Sequence, residues 1–379
     1  MTAVQKVAIA GSGAAALATA IQLAKAGVEV DVFELKPELS TVGSGITLQG
    51  NALRVFDALG VWSRIREIGY PFDGLSIRAP GPGAPVIADL PEVQTGGPDY
   101  PAAMGMYRPD LNRVLLERAE EVGVSIHFAS AVTAAEALGD DAVEVWVNGE
   151  SAGRYDLLVG ADGVHSSVRD LIGIDTGPVR TGMGIWRAQV SRPPEVEHSE
   201  LYYGGPAYIA GYTPTGEDSM YAFLVEASHD RAGITSGEAA RLMIEQSLAY
   251  QGPWESIRRD LEGSDARVNY TWFTSHIVPD AWNRGCIVII GDAAHSCPPT
   301  IAQGAAQALE DAFVLSELLV AADVLDESLW EAFHRRRLPR ATAVVEASVQ
   351  LGRWQLEHDR DADAPGLIFG IARQMAELA

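Results

Sequence analysis

Hydrophobic and polar positions alternate in two rhythms along this chain. Lys6 to Ala10 is a short apolar run of the kind a buried strand makes. Gly11-Ser12-Gly13 interrupts it, and Ala14 to Ala26 follows, rich in helix formers and closed by Gly27. A second apolar run, Val28 to Phe33, ends at Glu34, so this segment predicts a strand–helix–strand unit. Far downstream, Ile287 to Ile290 predicts a strand ending at Gly291-Asp292. Gln303-Gly304 then opens a predicted helix reaching about Val320, with Leu309, Phe313 and Val320 as its buried stripe. In the middle of the chain, Leu201-Tyr202-Tyr203 and Met220 to Leu224 read as antiparallel strands. Residues 80–101, dense in proline and glycine, predict a loop, and 323–379 predicts helices packed on the core.

Composition narrows the classes. With 379 residues, 47% hydrophobic and 21% charged, the chain is long enough for two or three domains around a sizeable core. Lys and Arg number 28 against 51 Asp and Glu, a net charge of −23. Nucleic acid and anionic membranes both demand basic surface, so neither is an expected partner. Cys286 and Cys297 build no disulfide framework and no zinc site, which fits a reducing cytoplasm. No apolar run approaches the ~18 residues of a membrane span, and the N-terminus does not read as a signal peptide.

The first unit carries chemistry. Gly11 permits a tight turn, Gly13 lets backbone approach a pyrophosphate, and Ala16 lets helix and strand pack closely. Amides at the helix start face the phosphates with the positive end of the helix dipole. Glu34 can accept hydrogen bonds from the ribose hydroxyls, which disfavours a 2′-phosphate there. The motif alone leaves FAD and NAD open.

Two later segments close that choice by resemblance. Asp156 to Arg169, containing Gly160-Ala161-Asp162-Gly163, resembles the DG motif of para-hydroxybenzoate hydroxylase-like flavoprotein monooxygenases. Ile287 to His295, containing Gly291-Asp292, resembles their GD motif, and Pro298 to Ala306 their flavin loop. Met106 to Leu111 is similar to the family's arginine-bearing helix start, and Gly43 to Ile46 to its flavin-proximal glycine turn. The resemblance implies FAD held by Gly11, Gly13, Ala16, Glu34, Gly45, Arg108, Asp162, Gly291, Asp292, Pro299, Gly304 and Ala305. Within that set, Asp292 would bond the ribityl chain and Arg108 the phosphates or the DG segment. The helix after Gly304 would aim its N-terminus at the pyrimidine edge of the flavin. The family usually shows Gly-Gln-Gly-Ala-Asn here; Ala302 and Ala306 depart from it, costing backbone freedom and one polar contact. His165 and His295 occupy motif positions that are structural in the family, and Cys297 reads as a packed thiol.

The implied fold is α/β. A discontinuous Rossmann-like FAD domain at 1–72, 104–176 and 276–322 has a mixed sheet with helices on both faces. An antiparallel-sheet substrate domain interleaves at 73–103 and 177–275, and 323–379 is a C-terminal helical segment. The implied chemistry is monooxygenation. NADH or NADPH visits transiently, O₂ adds to reduced flavin, and a flavin hydroperoxide oxidises a small aromatic substrate. Pro299 belongs to the catalytic loop. Tyr203, Tyr212 and Arg187 fall where substrate should lie, and Tyr212 is the chosen catalytic candidate because Tyr212-Thr213-Pro214 resembles a family strand. A reductase of the same fold and a non-catalytic redox module are the rival readings. A monomer or homodimer is expected.

Overall fold

The computed structural model describes residues 2–39, 43–139, 141–263 and 266–379. Its central sheet has six strands, in the order Asn283–Arg284, Ile287–Ile289, Leu157–Gly160, β1 (Lys6–Ala10), β2 (Glu29–Phe33) and Ser125–His127. Five run parallel and the two-residue edge strand runs antiparallel, so the sheet is mixed. Val7, Ala8, Ile9, Leu157, Leu158, Val288 and Ile289 are fully buried. Such strands read as unbroken apolar runs because both faces are covered.

Helix α1 (Ala14–Lys25) and the helix Gly304–Ala321 pack together over this sheet. Alanines make the close approach possible: a Cβ added at Gly291 would lie 3.2 Å from that of Ala308 and 3.3 Å from that of Ala15. Two expected boundaries shift slightly, since α1 ends at Lys25 and the late strand at Ile289. The expected stripe of the late helix is corrected. Val320 is 38% exposed and Phe313 half-buried, while Leu309, Ala312, Leu315 and Leu319 form the buried face. Glu310 and Asp311 are buried with them, which apolar periodicity cannot register.

An eight-stranded sheet stands beside the first. Its order is His295–Ser296, Val268–Ile277, Val179–Ser191, Ser219–Ala227, Ile209–Pro214, Ser199–Tyr202, Gly74–Arg78 and Val86–Pro91. The last strand corrects the loop expected over 80–101. Val86 and Ile87 favour extended chain, and an edge strand tolerates the terminal Pro91. Side chains alternate across this sheet. Trp186, Ala188, Tyr202, Tyr212, Ala222 and Leu224 enter a core with Met243, Trp254 and Ile257 of two covering helices and with Tyr250 of the connection between them. Arg187, Tyr221 and Phe223 are on the opposite face.

Two smaller sheets complete the β structure: Val132–Ala137 with Val143–Val147 and Glu150–Tyr155, and Gly45–Gln49 with Ala103–Tyr107 and Tyr70–Phe72. The C-terminal segment is helical as expected, Glu327–Glu357 then Ala364–Ala376.

Candidate cofactor and substrate site

Three neighbouring parallel strands end in the three motifs. β1 runs into Gly11, Leu157–Gly160 into Ala161-Asp162, and Ile287–Ile289 into Ile290 and then Gly291-Asp292. Ligands of open α/β sheets bind beyond such carboxyl ends. Gly11 has φ +96°, and a Cβ there would sit 2.5 Å from the Ala161 carbonyl oxygen. Only glycine lets the first strand's turn press against the second strand's end.

Gly13 caps α1 without a side-chain bond, and no acidic residue stands in the first turn. A Cβ at Gly13 would meet nothing within 4 Å, so the uncapped amides look onto open space. Ala16 is fully buried in the helix–strand seam. Glu34 is pinned at the lip: one oxygen accepts from the Ser12 amide at 2.9 Å and its hydroxyl at 2.7 Å, and the other from the Lys36 amide at 2.9 Å.

The Asp162 carboxylate shapes its own loop. It accepts from the Ser166 and Ser167 hydroxyls and from the amides of Ser167, at 2.8 Å, and Val168, at 3.1 Å. What it offers the neighbouring strand end is backbone, with its Cα beside Gly11. His165 is exposed. Arg169, passed over in the sequence, ties two motifs together: it is buried, and it donates to the Val164 and Ala293 carbonyls.

Gly291 (φ +59°) donates its amide to Asp311 at 2.9 Å. Asp292 beside it is reachable by solvent yet walled by protein. Burial pushes its carboxyl above the ordinary range, and Asp311 adds to that, while His295 and Arg108 pull it down. A group both accessible and desolvated lines a concavity. His295 is buried, with Nε2 2.6 Å from Asp311, and Asp311 accepts from Arg337 Nε at 2.7 Å.

In the loop that follows, Pro298 and Pro299 lead into a short turn, and Ala302 sits at φ +51°. The expected loss of backbone freedom there takes the form of an alanine held in the left-handed region. The helix Gly304–Ala321 begins with no side-chain cap and no acid in its first turn. Cys297 Sγ, 3.8 Å away, is all that a Cβ at Gly304 would touch. Ala305 is half-buried beside it. Ala306 is 1% exposed and faces the core, so the missing polar contact expected there is replaced by packing. Burial pushes the Cys297 thiol up to about 12, keeping it protonated.

Tyr212 does not reach this concavity. It is fully buried in the second core, its hydroxyl donating to Glu200 and meeting Tyr202 at 3.2 Å. The strand's alternation sends it away from the cofactor side, which corrects the expectation of a catalytic role. Tyr203, 39% exposed, lies just past the strand Ser199–Tyr202.

Tyr221, on the other face, packs its ring against Gly45 so tightly that a Cβ there would overlap it. Its hydroxyl is 3.0 Å from that of Thr47. Arg187 shares this face and feels both Tyr221 and Arg108. Arg108, the first residue of the helix Arg108–Glu121, places its amide on the Ser44 carbonyl at 3.2 Å. Tyr221 was legible as a strand aromatic; its direction was not.

FAD fits these residues. Two uncapped helix starts, an accessible but desolvated carboxylate between them, and an acid at the end of β2 match its phosphates, flavin edge, ribityl chain and ribose. Among the described residues, no His, Cys, Asp and Glu cluster could hold a metal, and no helix is long and apolar enough to cross a membrane.

Comparison with known proteins agrees. A family model described as an FAD binding domain matches residues 4–348. The chain is 30% identical over 350 residues to 3-amino-4-hydroxybenzoate 2-monooxygenase of Streptomyces cremeus, covering 89% of this chain and 84% of that one. It is 29% identical over 358 residues to 3-hydroxybenzoate 6-hydroxylase of Polaromonas naphthalenivorans (strain CJ2), covering 91% and 86%. The crystal structure of a variant of 2-methyl-3-hydroxypyridine-5-carboxylic acid oxygenase superposes with a TM-score of 0.79. The identity there is 26%, over 98% of this chain and 96% of that one.

Proposed function

We propose, on the premise that this chain belongs to the FAD-binding-domain family of FAD-dependent monooxygenases, that it hydroxylates a small aromatic or heteroaromatic ring with NAD(P)H and O₂. The observation that carries this reading is the convergence of Gly11, Asp162 and Gly291-Asp292 at adjacent strand ends.

FAD, when bound, supplies the redox chemistry between NAD(P)H and O₂. The remaining work falls to the chain. The α1 amides would hold the pyrophosphate with Arg108 nearby, Glu34 the adenosine ribose, and Asp292 a ribityl hydroxyl. The amides of Gly304 and Ala305, at the positive end of an uncapped helix, favour negative charge at the pyrimidine edge. Pro298 and Pro299 stiffen the loop that leads into this helix, and the Tyr221 and Phe223 face would help keep a bound ring from water. Tyr221, whose hydroxyl meets that of Thr47, would be the phenol to hold a proton on a ring hydroxyl.

NAD(P)H visits without a dedicated domain, and the reaction belongs in the cytoplasm, where this reductant and free thiols coexist. A screen of phenolic and pyridine acids for stimulated NAD(P)H oxidation and oxygen uptake tests the reading. At least one ring should stimulate both and leave as a hydroxylated product. Oxidation indifferent to every aromatic compound would overturn it.

A further inference from the structure

We propose that Arg187 is an anion-binding residue of the cleft, taking either a carboxylate of the aromatic substrate or a phosphate of NAD(P)H. The proposal rests on the reading above and adds the charge of what binds there.

Arg187 lies on the strand Val179–Ser191, between Trp186 and Ala188, which enter the core of the eight-stranded sheet. Its own side chain therefore leaves on the opposite face, opposite Phe223 in register and beside Tyr221. Tyr221 abuts Gly45, and Arg108 begins one hydrogen bond from Ser44, so the guanidinium stands where the eight-stranded sheet meets the small sheet that contains Gly45–Gln49.

Its partners are unusual for this chain. The guanidinium is half-buried, and desolvation pulls its pKa down. Among the described residues it makes one side-chain bond, from Nη1 to the Thr271 hydroxyl at 2.9 Å. The residues that act on it electrostatically are Tyr221 and Arg108, and among the described residues no carboxylate is with them.

Other enclosed arginines have carboxylates or carbonyls in reach, and half-buried Arg54 at least feels the Glu310 carboxylate. Arg337 holds Glu310 and Asp311, Arg340 holds Glu310, Arg78 holds Glu200 and Arg231 holds Glu226. Arg169 and Arg258 donate to backbone carbonyls. Among the described residues, no acidic side chain is placed on Arg187.

A desolvated guanidinium with one hydroxyl partner and a second arginine nearby is incomplete until an anion arrives. Of its five N–H donors, four remain for a planar pair of oxygens, the geometry a carboxylate or phosphate presents.

The test uses FAD-loaded protein and three forms: the parent, Arg187→Gln and Arg187→Lys. Equal FAD content and melting temperature verify that the strand pair through Thr271 survives. Benzoate and benzamide are titrated against the flavin absorbance, and the KM for NADH is measured in the absence of aromatic compound.

If the anion is a ring carboxylate, Arg187→Gln weakens benzoate roughly 10- to 100-fold and leaves benzamide unchanged. If it is a phosphate, the KM for NADH rises on that scale and benzoate is unaffected. In either case Arg187→Lys recovers part of the loss.

Equal losses for benzoate and benzamide would make Arg187 a packing residue and overturn the proposal. Loss of FAD would overturn it in favour of cofactor retention. An unchanged KM together with unchanged or absent benzoate binding would also overturn it. The reading of the reaction fails by a different result, the absence of any aromatic-stimulated oxygen uptake.

Discussion

Asp292 is ill at ease without a partner. Burial raises its carboxyl above the unfolded value, so its contribution to stability is present below that value and lost as pH rises through the raised one. At neutral pH, Asp292→Asn should therefore raise the melting temperature of the FAD-free protein while weakening FAD retention. The loss should be about 1–3 kcal/mol, read as the dissociation constant by fluorescence. A variant that melts lower and binds FAD unchanged would contradict the role given to this carboxylate. Ala302, at φ +51°, makes a second prediction. Ala302→Gly relieves a strained backbone and should stabilise the protein by up to ~1 kcal/mol in urea denaturation. Both residues could be picked out in the sequence because they sit inside a motif. Tyr212 and Tyr221 show where that legibility stops. Alternation puts them on opposite faces of one sheet, but no local pattern says which face meets the cofactor. Arg169 escaped for a related reason, since the bond that ties the two motifs goes to the Ala293 carbonyl, 124 residues away.

Among elements, the helix Gly304–Ala321 is anchored from behind by charge. Glu310 and Asp311 face Arg337 and Arg340 of the long helix Glu327–Glu357, and Asp311 reaches forward to the Gly291 amide and His295. Glu310 also accepts from Asn51, which pairs with Gln303 at the helix start. The long helix thereby fixes both the GD turn and the start of the helix Gly304–Ala321. Arg337→Met would leave two buried carboxylates short of a partner, with an expected loss of roughly 3–5 kcal/mol in equilibrium unfolding. A loss below ~1 kcal/mol would show that the pair is replaceable. The sequence placed this helix within a residue or two yet assigned Val320 to its buried stripe. Hydrophobic periodicity finds apolar faces, and here the core face includes two acids neutralised from a helix more than twenty residues downstream. Similarly, the edge strand Val86–Pro91 was hidden by flanking prolines and glycines that do end the strand without preventing it.

At the scale of the whole molecule, two sheets must stay in register for ring and cofactor to meet. His276, on the strand Val268–Ile277, sits at their junction, bonded to Ser296 at 2.8 Å and facing Arg169 at 3.3 Å. Burial, and then the Arg169 charge, lower its pKa to about 4. A depressed histidine gives stability that is complete above its unfolded value near 6.5 and lost as pH falls toward 4. Denaturation midpoints should fall across that window, and His276→Gln should flatten the dependence. Substrate can also bias the molecule as a whole. A tenfold stimulation of NAD(P)H oxidation requires only ~1.4 kcal/mol of differential affinity between two arrangements, which a buried ring supplies. Oxygen-isotope labelling tests the central claim most directly. Turnover of a stimulating aromatic compound under ¹⁸O₂ should give a hydroxylated product carrying one ¹⁸O atom, with NAD(P)H consumed in step. Product oxygen drawn from water, or NAD(P)H oxidised wholly to hydrogen peroxide with every ring left unchanged, would contradict the account.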